Sequence, residues 1–237
     1  MSERIKFKAD DNLLKQVITD QAGEWKKGIL ELLQNSYDSI VMRETPTKEP
    51  RIDLRVGRTS DGLHFLEVED NGCGWGKTKE EVIRNMQIFG NSIKKQVEGT
   101  IGEKGMGRGQ AMAMIYSVAQ DEFVGDIVIQ TNGWEIYDIR LSDLSFSIRK
   151  QVKGEDGRSV KRRGTRWIIT SPFREFDNLE DEIREFINDN IMLPVTITLN
   201  GKLAGSKIGG VKWETDEAVF YVSQGKGVDQ GRPALCC

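Results

Sequence analysis

Glu31-Leu32-Leu33-Gln34-Asn35-Ser36-Tyr37-Asp38, then Asp70-Asn71-Gly72-Cys73-Gly74, then Gly102-Glu103-Lys104-Gly105-Met106-Gly107 are the stretches that decide how this chain folds. Each alone is a weak signal. In this order and at this spacing they describe a nucleotide pocket. The first is a helix with an acid and an amide on one face, the second a strand-end aspartate followed by glycines, and the third a glycine-rich loop that opens a helix.

The first stretch places Glu31, Asn35 and Asp38 at i, i+4 and i+7, so they share one helix face, beside the apolar stripe Ile29, Leu30, Leu33, Tyr37, Ile40 and Val41. A glutamate there can activate a water, and an asparagine one turn on can offer a carbonyl oxygen to Mg2+, which prefers hard oxygen ligands and takes few of them from protein. The same triplet also suits a solvated helix face. In the second stretch, Asp70 follows the apolar strand Phe65-Leu66-Glu67-Val68, and Gly72, Gly74 and Gly76 permit tight turns and close approach of the backbone to a ligand. A pocket-floor aspartate accepts from the exocyclic amine of adenine, where guanine carries a carbonyl. An ordinary Asp-Asn-Gly turn is the alternative. The third stretch runs on through Arg108 and Gly109 into Gln110-Ala111-Met112-Ala113-Met114. Free N–H groups at such a loop-to-helix junction attract anions, and Lys104 and Arg108 add charge; a surface loop is the alternative. No Gly-Lys-Ser/Thr closes the loop as in a Walker A motif, and no strand leads directly into it as in a Rossmann fingerprint. Gly164-Thr165 opens the strand Arg166-Trp167-Ile168-Ile169-Thr170, and a threonine hydroxyl at that point can reach a base or a bound water.

Composition narrows the class. The 237 residues are 38% hydrophobic and 30% charged, as in a soluble globular protein, and provide one large domain or one domain and the start of another. A net charge of −3 gives no bulk attraction to nucleic acid or anionic membrane. No apolar run approaches the roughly 18–20 residues of a membrane span, and the N-terminus lacks the apolar core of a signal peptide. Three cysteines, Cys73 beside glycines and Cys236 and Cys237 at the end of the chain, do not read as a disulfide framework, so a reducing cytoplasm fits best. His64 is the single histidine, which argues against a Ser-His-Asp or Cys-His hydrolase and a His-rich metal site.

Periodicity predicts helices over 11–21, 24–43, 79–88, 110–118 and 179–190. It predicts strands over 51–58 and 63–69 as a hairpin, and over 123–131, 134–141, 144–151, 165–170, 195–199 and 211–223. Residues 89–109 and the basic stretch 153–163 are expected as loops. Lys161, Arg162 and Arg163 make nucleic-acid contact conceivable in the second, although a solvated loop suits the acidic balance better.

Taken together these motifs resemble the GHKL superfamily, the Bergerat-fold ATPases, which includes Hsp90 chaperones, MutL repair proteins, type II topoisomerase ATPase subunits, MORC proteins and sensor histidine kinases. Glu31–Ser39 resembles its N box, and Asp70–Gly74 its Asp-x-Gly-x-Gly box. Gly102–Gly107 resembles the following glycine box, Gly164-Thr165 the last one, and Phe89–Lys95 the stretch that opens the ATP lid in the Hsp90- and MORC-like members. The resemblance covers residues 24–170 and implies an α/β (α+β) two-layer sandwich, a mixed, mostly antiparallel sheet covered by helices and an ATP lid. It further implies that Glu31 is the general base, that Asn35 coordinates Mg2+, and that Asp70 binds adenine with Thr165 in support. Gly72 and Gly74 would let the chain pass the base. Ser92, Lys94, Gly102, Lys104, Gly105, Met106, Gly107 and Arg108 would surround the phosphates. Asp38 is expected to support the pocket from its helix face. A glutamate followed by Asn-Ser-Tyr-Asp-Ser resembles the hydrolytic, Hsp90/MutL/MORC-like branch, in which ATP closes a lid and drives homodimerisation and a second domain supplies a lysine to the γ-phosphate. Residues 1–205 are expected to form the ATP-binding domain, and 206–237 a C-terminal extension that begins such a second domain. Non-hydrolytic ATP-dependent interaction and phosphoryl transfer to a partner are the alternative functions.

Overall fold

Strict alternation in two neighbouring segments builds the centre of the molecule: Ile52, Leu54 and Val56 are buried along one strand, and Leu66, Val68 and Asp70 along the next. A computed structural model describes residues 4–7, 11–87, 107–140, 142–150, 163–171, 178–205, 212–214 and 219–221. In chain order the elements are β1 (Arg4–Lys6), α1 (Asp11–Asp20), α2 (Trp25–Val41), β2 (Arg51–Arg58), β3 (His64–Asp70), α3 (Lys79–Gln87), α4 (Gly107–Ala113), β4 (Tyr116–Ser117), β5 (Glu122–Phe123), β6 (Asp126–Thr131), β7 (Trp134–Arg140), β8 (Ser145–Lys150), β9 (Thr165–Ser171), α5 (Leu179–Asn190), β10 (Thr196–Leu199), β11 (Lys202–Ala204), β12 (Lys212–Glu214) and β13 (Val219–Tyr221).

Nine of the described strands form one sheet in the order β1-β8-β7-β6-β9-β3-β2-β10-β11. Only β10 and β2 run parallel, and all other neighbours in this sheet are antiparallel. Because side chains alternate across a strand, the register assigns each face. Ile52, Leu54, Leu66, Val68, Trp167, Ile169, Ile127 and Ile129 fall on the face that meets the helices. There Ile29, Leu32, Leu33 and Ile40 of α2, and Ile183 and Ile187 of α5, close the core. The opposite face carries cross-strand ion pairs: Arg55 and Arg166 both meet Glu67, at 3.1 and 2.5 Å, and Arg149 meets Glu135 at 2.5 Å. One apolar and one polar face is the pattern of a sheet covered on one side, so the α/β two-layer sandwich and its mostly antiparallel sheet are as expected.

Several elements depart from the sequence reading. β1 was not anticipated: three residues are too few for a period, and its place is set by pairing with β8. Helix α4 begins at Gly107, inside the expected loop, and stops at Ala113. Residues 114–118, expected as helix, instead turn out into β4, which pairs with β5. The strand expected over 123–131 is broken at Gly125, where the backbone passes so close to Thr170 that any Cβ would overlap its carbonyl oxygen. Within α2, Leu32 is in the core while Leu30, Tyr37 and Val41 of the expected stripe are only half-buried. β12 and β13 pair antiparallel as a separate two-stranded sheet inside the segment expected as one strand.

Candidate nucleotide site

Asp70 ends β3, and the β3–β9 register, which pairs Glu69 with Arg166, brings the start of β9, Gly164-Thr165, alongside it across 95 residues of sequence. The Asp70 side chain is buried, 4% exposed. Its Oδ1 accepts from the Gly72 N–H at 2.8 Å and from the Ser39 hydroxyl of α2 at 3.1 Å, and the Thr165 N–H also donates to the carboxyl. Burial pushes Asp70 up to about 7, against the pull of these three donors and with a further push from Glu69. Gly164, with φ +105, lies so close that a Cβ would overlap the Asp70 carbonyl oxygen, and at Gly72 a Cβ would overlap Ser39. Both glycines are therefore needed for this close packing. The Thr165 side chain is buried, yet its hydroxyl has no hydrogen-bond partner among the described residues. A buried hydroxyl left unpaired costs free energy unless something else bonds it.

The loop after Asp70 is tied down by residues the sequence reading did not single out. The Thr131 hydroxyl accepts from the Trp75 N–H at 2.9 Å and donates to the Gly164 carbonyl at 3.2 Å. The Asn132 amide donates to the carbonyls of Cys73 and Gly76, each at 2.9 Å, and its oxygen accepts from the Gly164 N–H at 3.4 Å. Asn132 and Gly133 take positive φ, 47 and 84°, as in the tight hairpin turn that Asn-Gly favours. That dipeptide signals a hairpin, but nothing local announces that its side chain reaches the aspartate loop. Beyond the loop, Thr78 and Glu81 cap α3 reciprocally: the Glu81 N–H donates to the Thr78 hydroxyl at 3.2 Å and the Thr78 N–H to the Glu81 carboxylate at 3.1 Å.

The other end of the site is built by α2 and α4. Gly107, the first residue of α4, lies against α2 so closely that a Cβ would overlap Glu31 Oε2 and come within 3.2 Å of Asn35 Nδ2. Gly28, one turn before Glu31, is pressed against Met114 in the same way. Glu31 and Asn35 are half-buried, whereas Asp38 is fully buried, so this face is not a solvated one. Arg108 places its guanidinium 5.5 Å from the centre of the Trp75 ring, and Trp75 meets Trp167 edge to face at 5.9 Å. Burial pulls Arg108 down to about 10, leaving it cationic at neutral pH. Of the residues expected at the site, Glu31, Asn35, Asp70, Gly72, Gly74, Gly107, Arg108 and Thr165 are thus placed along α2, the end of β3 and the starts of α4 and β9. Ser92, Lys94, Gly102, Lys104, Gly105 and Met106 lie outside the described residues, as do most of the expected lid and residues 153–162 of the basic stretch.

Comparison with known proteins is consistent with this geometry at a coarse level. No family model matches the chain. It is 25% identical over 183 residues to the DNA mismatch repair protein MutL of Haemophilus influenzae strain Rd, a match covering 74% of this chain and 27% of that protein. MutL of strain PittEE is similar to the same extent. The match thus spans little more than a quarter of the curated relatives. MutL is a GHKL ATPase, so a distant likeness to that superfamily is supported. Among the described residues no group of three or more His, Cys, Asp or Glu is arranged to hold a metal, and no helix is long and apolar enough to cross a membrane.

Proposed function

We propose that this chain is an ATP-binding module of the GHKL type, with slow Mg2+-dependent hydrolysis in which Glu31 is the base. The observation that carries the reading is the Asp70–Thr165 pair: a buried carboxyl with one oxygen already satisfied, beside a buried hydroxyl with no partner among the described residues. An adenine amine donating to Asp70, and a ring nitrogen or a bridging water on Thr165, would satisfy both groups. Guanine would set a carbonyl against the carboxylate. The phosphates would then extend toward the start of α4, near Arg108, with Lys94 and Lys104 as further candidates.

Asn35, facing Gly107 beside Glu31, suits a Mg2+ ligand, a single protein oxygen where phosphates and water complete the shell. The ion would offset charge on the phosphate oxygens. Glu31 would accept a proton from the attacking water as its oxygen bonds to the γ-phosphorus and the bond to the bridging oxygen breaks, releasing ADP and phosphate. On this reading residues 1–205 are the nucleotide-binding unit, in a reducing cytoplasm. ATP acts as a switch for lid closure and homodimerisation rather than as fuel for fast turnover.

Calorimetric binding of ATP and ADP with Mg2+, with phosphate release followed in parallel, tests the reading. Wild type is expected to bind, Asp70→Asn not to bind, and Glu31→Ala to bind without releasing phosphate. Absence of adenine-nucleotide binding by wild type refutes it.

A further inference from the structure

Ser39 contributes nothing to the motif reading beyond closing the first helix motif, yet its hydroxyl is the hub of the aspartate end of the pocket. It is buried, 8% exposed. It accepts from the Gly74 N–H at 3.2 Å and lies 3.1 Å from Asp70 Oδ1 and 3.8 Å from Cys73 Sγ. The Cys73 thiol can donate to the Gly74 carbonyl at 3.3 Å, and the Gly74 N–H occupies the acceptor side of the Ser39 oxygen. The Ser39 proton is therefore directed at Asp70. The Ser39 carbonyl also accepts from the Cys73 N–H at 2.8 Å, so the same residue fixes the loop by its backbone.

We infer that Ser39 is a positioning residue for base recognition: with the Gly72 N–H it saturates Asp70 Oδ1, leaving Oδ2 to meet the base, and so sets which base edge the pocket accepts. The inference rests on the nucleotide reading above and deepens it. An oxygen with two donors on it has no lone pair left for a ligand. Oδ2, even if it takes the Thr165 N–H, keeps one. When Asp70 is ionised, Oδ2 is an acceptor and suits the amine of adenine. When Asp70 is protonated, the two donors on Oδ1 direct the proton to Oδ2, which then suits a carbonyl at the same ring position.

A donor that favours the ionised form lowers a carboxyl's pKa, and Ser39 is one of three such donors opposing the burial that raises Asp70 to about 7. Other groups facing Asp70 cannot replace it. Ile52 is its partner on β2, and Thr165 on β9 adds no charge. Glu69 on its own strand opposes ionisation, and the Cys73 thiol of the loop lies 3.8 Å from the Ser39 hydroxyl.

The test is the pH dependence of binding by the whole chain, with ATP and with ITP, which carries a carbonyl where adenine has its amine. Ser39→Ala removes the donor; Ser39→Cys, kept reduced, supplies a weaker one. Wild-type ATP affinity is expected to rise through a midpoint near the Asp70 value of about 7. In Ser39→Ala the midpoint moves up by about one pH unit, ATP binding at neutral pH falls about fivefold and recovers in alkali, and the preference for ATP over ITP falls about tenfold. Ser39→Cys moves in the same direction by less, and carries the test if Ser39→Ala does not fold. Midpoints equal to wild type, or an affinity loss uniform across pH, overturn the inference. If wild type binds no adenine nucleotide, the nucleotide reading fails with it. If wild type binds, Asp70→Asn does not, and the Ser39 variants follow wild type, only the role of Ser39 fails.

Discussion

Replacing Asp70 by Asn should stabilise the nucleotide-free protein while abolishing its ligand. The carboxyl is buried, and burial raises it from the ordinary carboxylate value of 3.8 to about 7. An acid whose pKa is raised on folding holds a proton that the unfolded chain has released. Its contribution is favourable below the unfolded value and declines as pH rises from about 4 to about 7, after which the buried group must carry its charge. For that shift the linkage relation gives about 3 kcal/mol less stability at about pH 8 than at about pH 5. Asparagine does not titrate, and its oxygen can still accept from Ser39 and Gly72 where Oδ1 does now. Urea unfolding of both proteins at several pH values gives the difference between them, in which other titrating groups largely cancel. That difference should grow in favour of Asp70→Asn by about 3 kcal/mol between about pH 5 and about pH 8. The same variant should not bind ATP, because its amide nitrogen would face the adenine amine, donor against donor. A stability difference that stays flat with pH would show that Asp70 is not held protonated by burial, and the reasoning on its ionisation would fail.

Other substitutions separate the parts of the site. Glu31→Ala should lower phosphate release by about 10²- to 10⁴-fold in a steady-state assay with little change in ATP affinity. Gly107→Ala places a methyl against Glu31 Oε2 and Asn35, so hydrolysis should fall at least about tenfold while the melting temperature moves little, as measured by phosphate release and calorimetry. Asn132→Ala removes the ties to Cys73, Gly76 and Gly164 and should cost about 2 kcal/mol in urea unfolding together with weaker ATP binding. Thr78→Ala breaks the reciprocal cap on α3 and should cost about 1 kcal/mol in the same unfolding assay, with ATP affinity unchanged.

What was legible in the sequence was whatever a period or a motif encodes within a few residues. Alternation over Arg51–Arg58, the helix over 179–190 and the strand over 165–170 all stand where expected. What failed was set by partners distant in sequence. β1 exists because β8 offers an edge, and α4 stops at Ala113 because the following residues pair with β5. Asp38, expected to support the pocket from its helix face, is fully buried, which the solvated-face alternative for the same triplet does not fit. The aspartate and the glycines were found by motif, but Ser39, Thr131 and Asn132 were not, since serine in a helix and Thr-Asn-Gly in a hairpin have ordinary local explanations. Only the three-dimensional fold shows that all three converge on the segment from Asp70 to Gly76, and that Thr131 and Asn132 also hold Gly164.

The two ends of the site stand on different supports, and this bears on how binding and chemistry can vary independently. Asp70, Thr165 and the aspartate loop are held by the paired centre of the sheet and by side-chain bonds from Ser39, Thr131 and Asn132. Glu31 and Asn35 are placed by the packing of α2 against the start of α4, through Gly107 and through Gly28 on Met114. The first set of contacts lies within a sheet whose strands pair on both sides at β3 and β9, so it has little freedom to adjust. The second depends on one short helix, α4, of seven residues, too short to be stable without its packing. Displacement of α4 would move Gly107 and Arg108 relative to Glu31 and leave the aspartate end intact. On the proposed function, such a chain retains adenine binding while its hydrolysis is set by how firmly α4 is held, an arrangement suited to a nucleotide-governed switch.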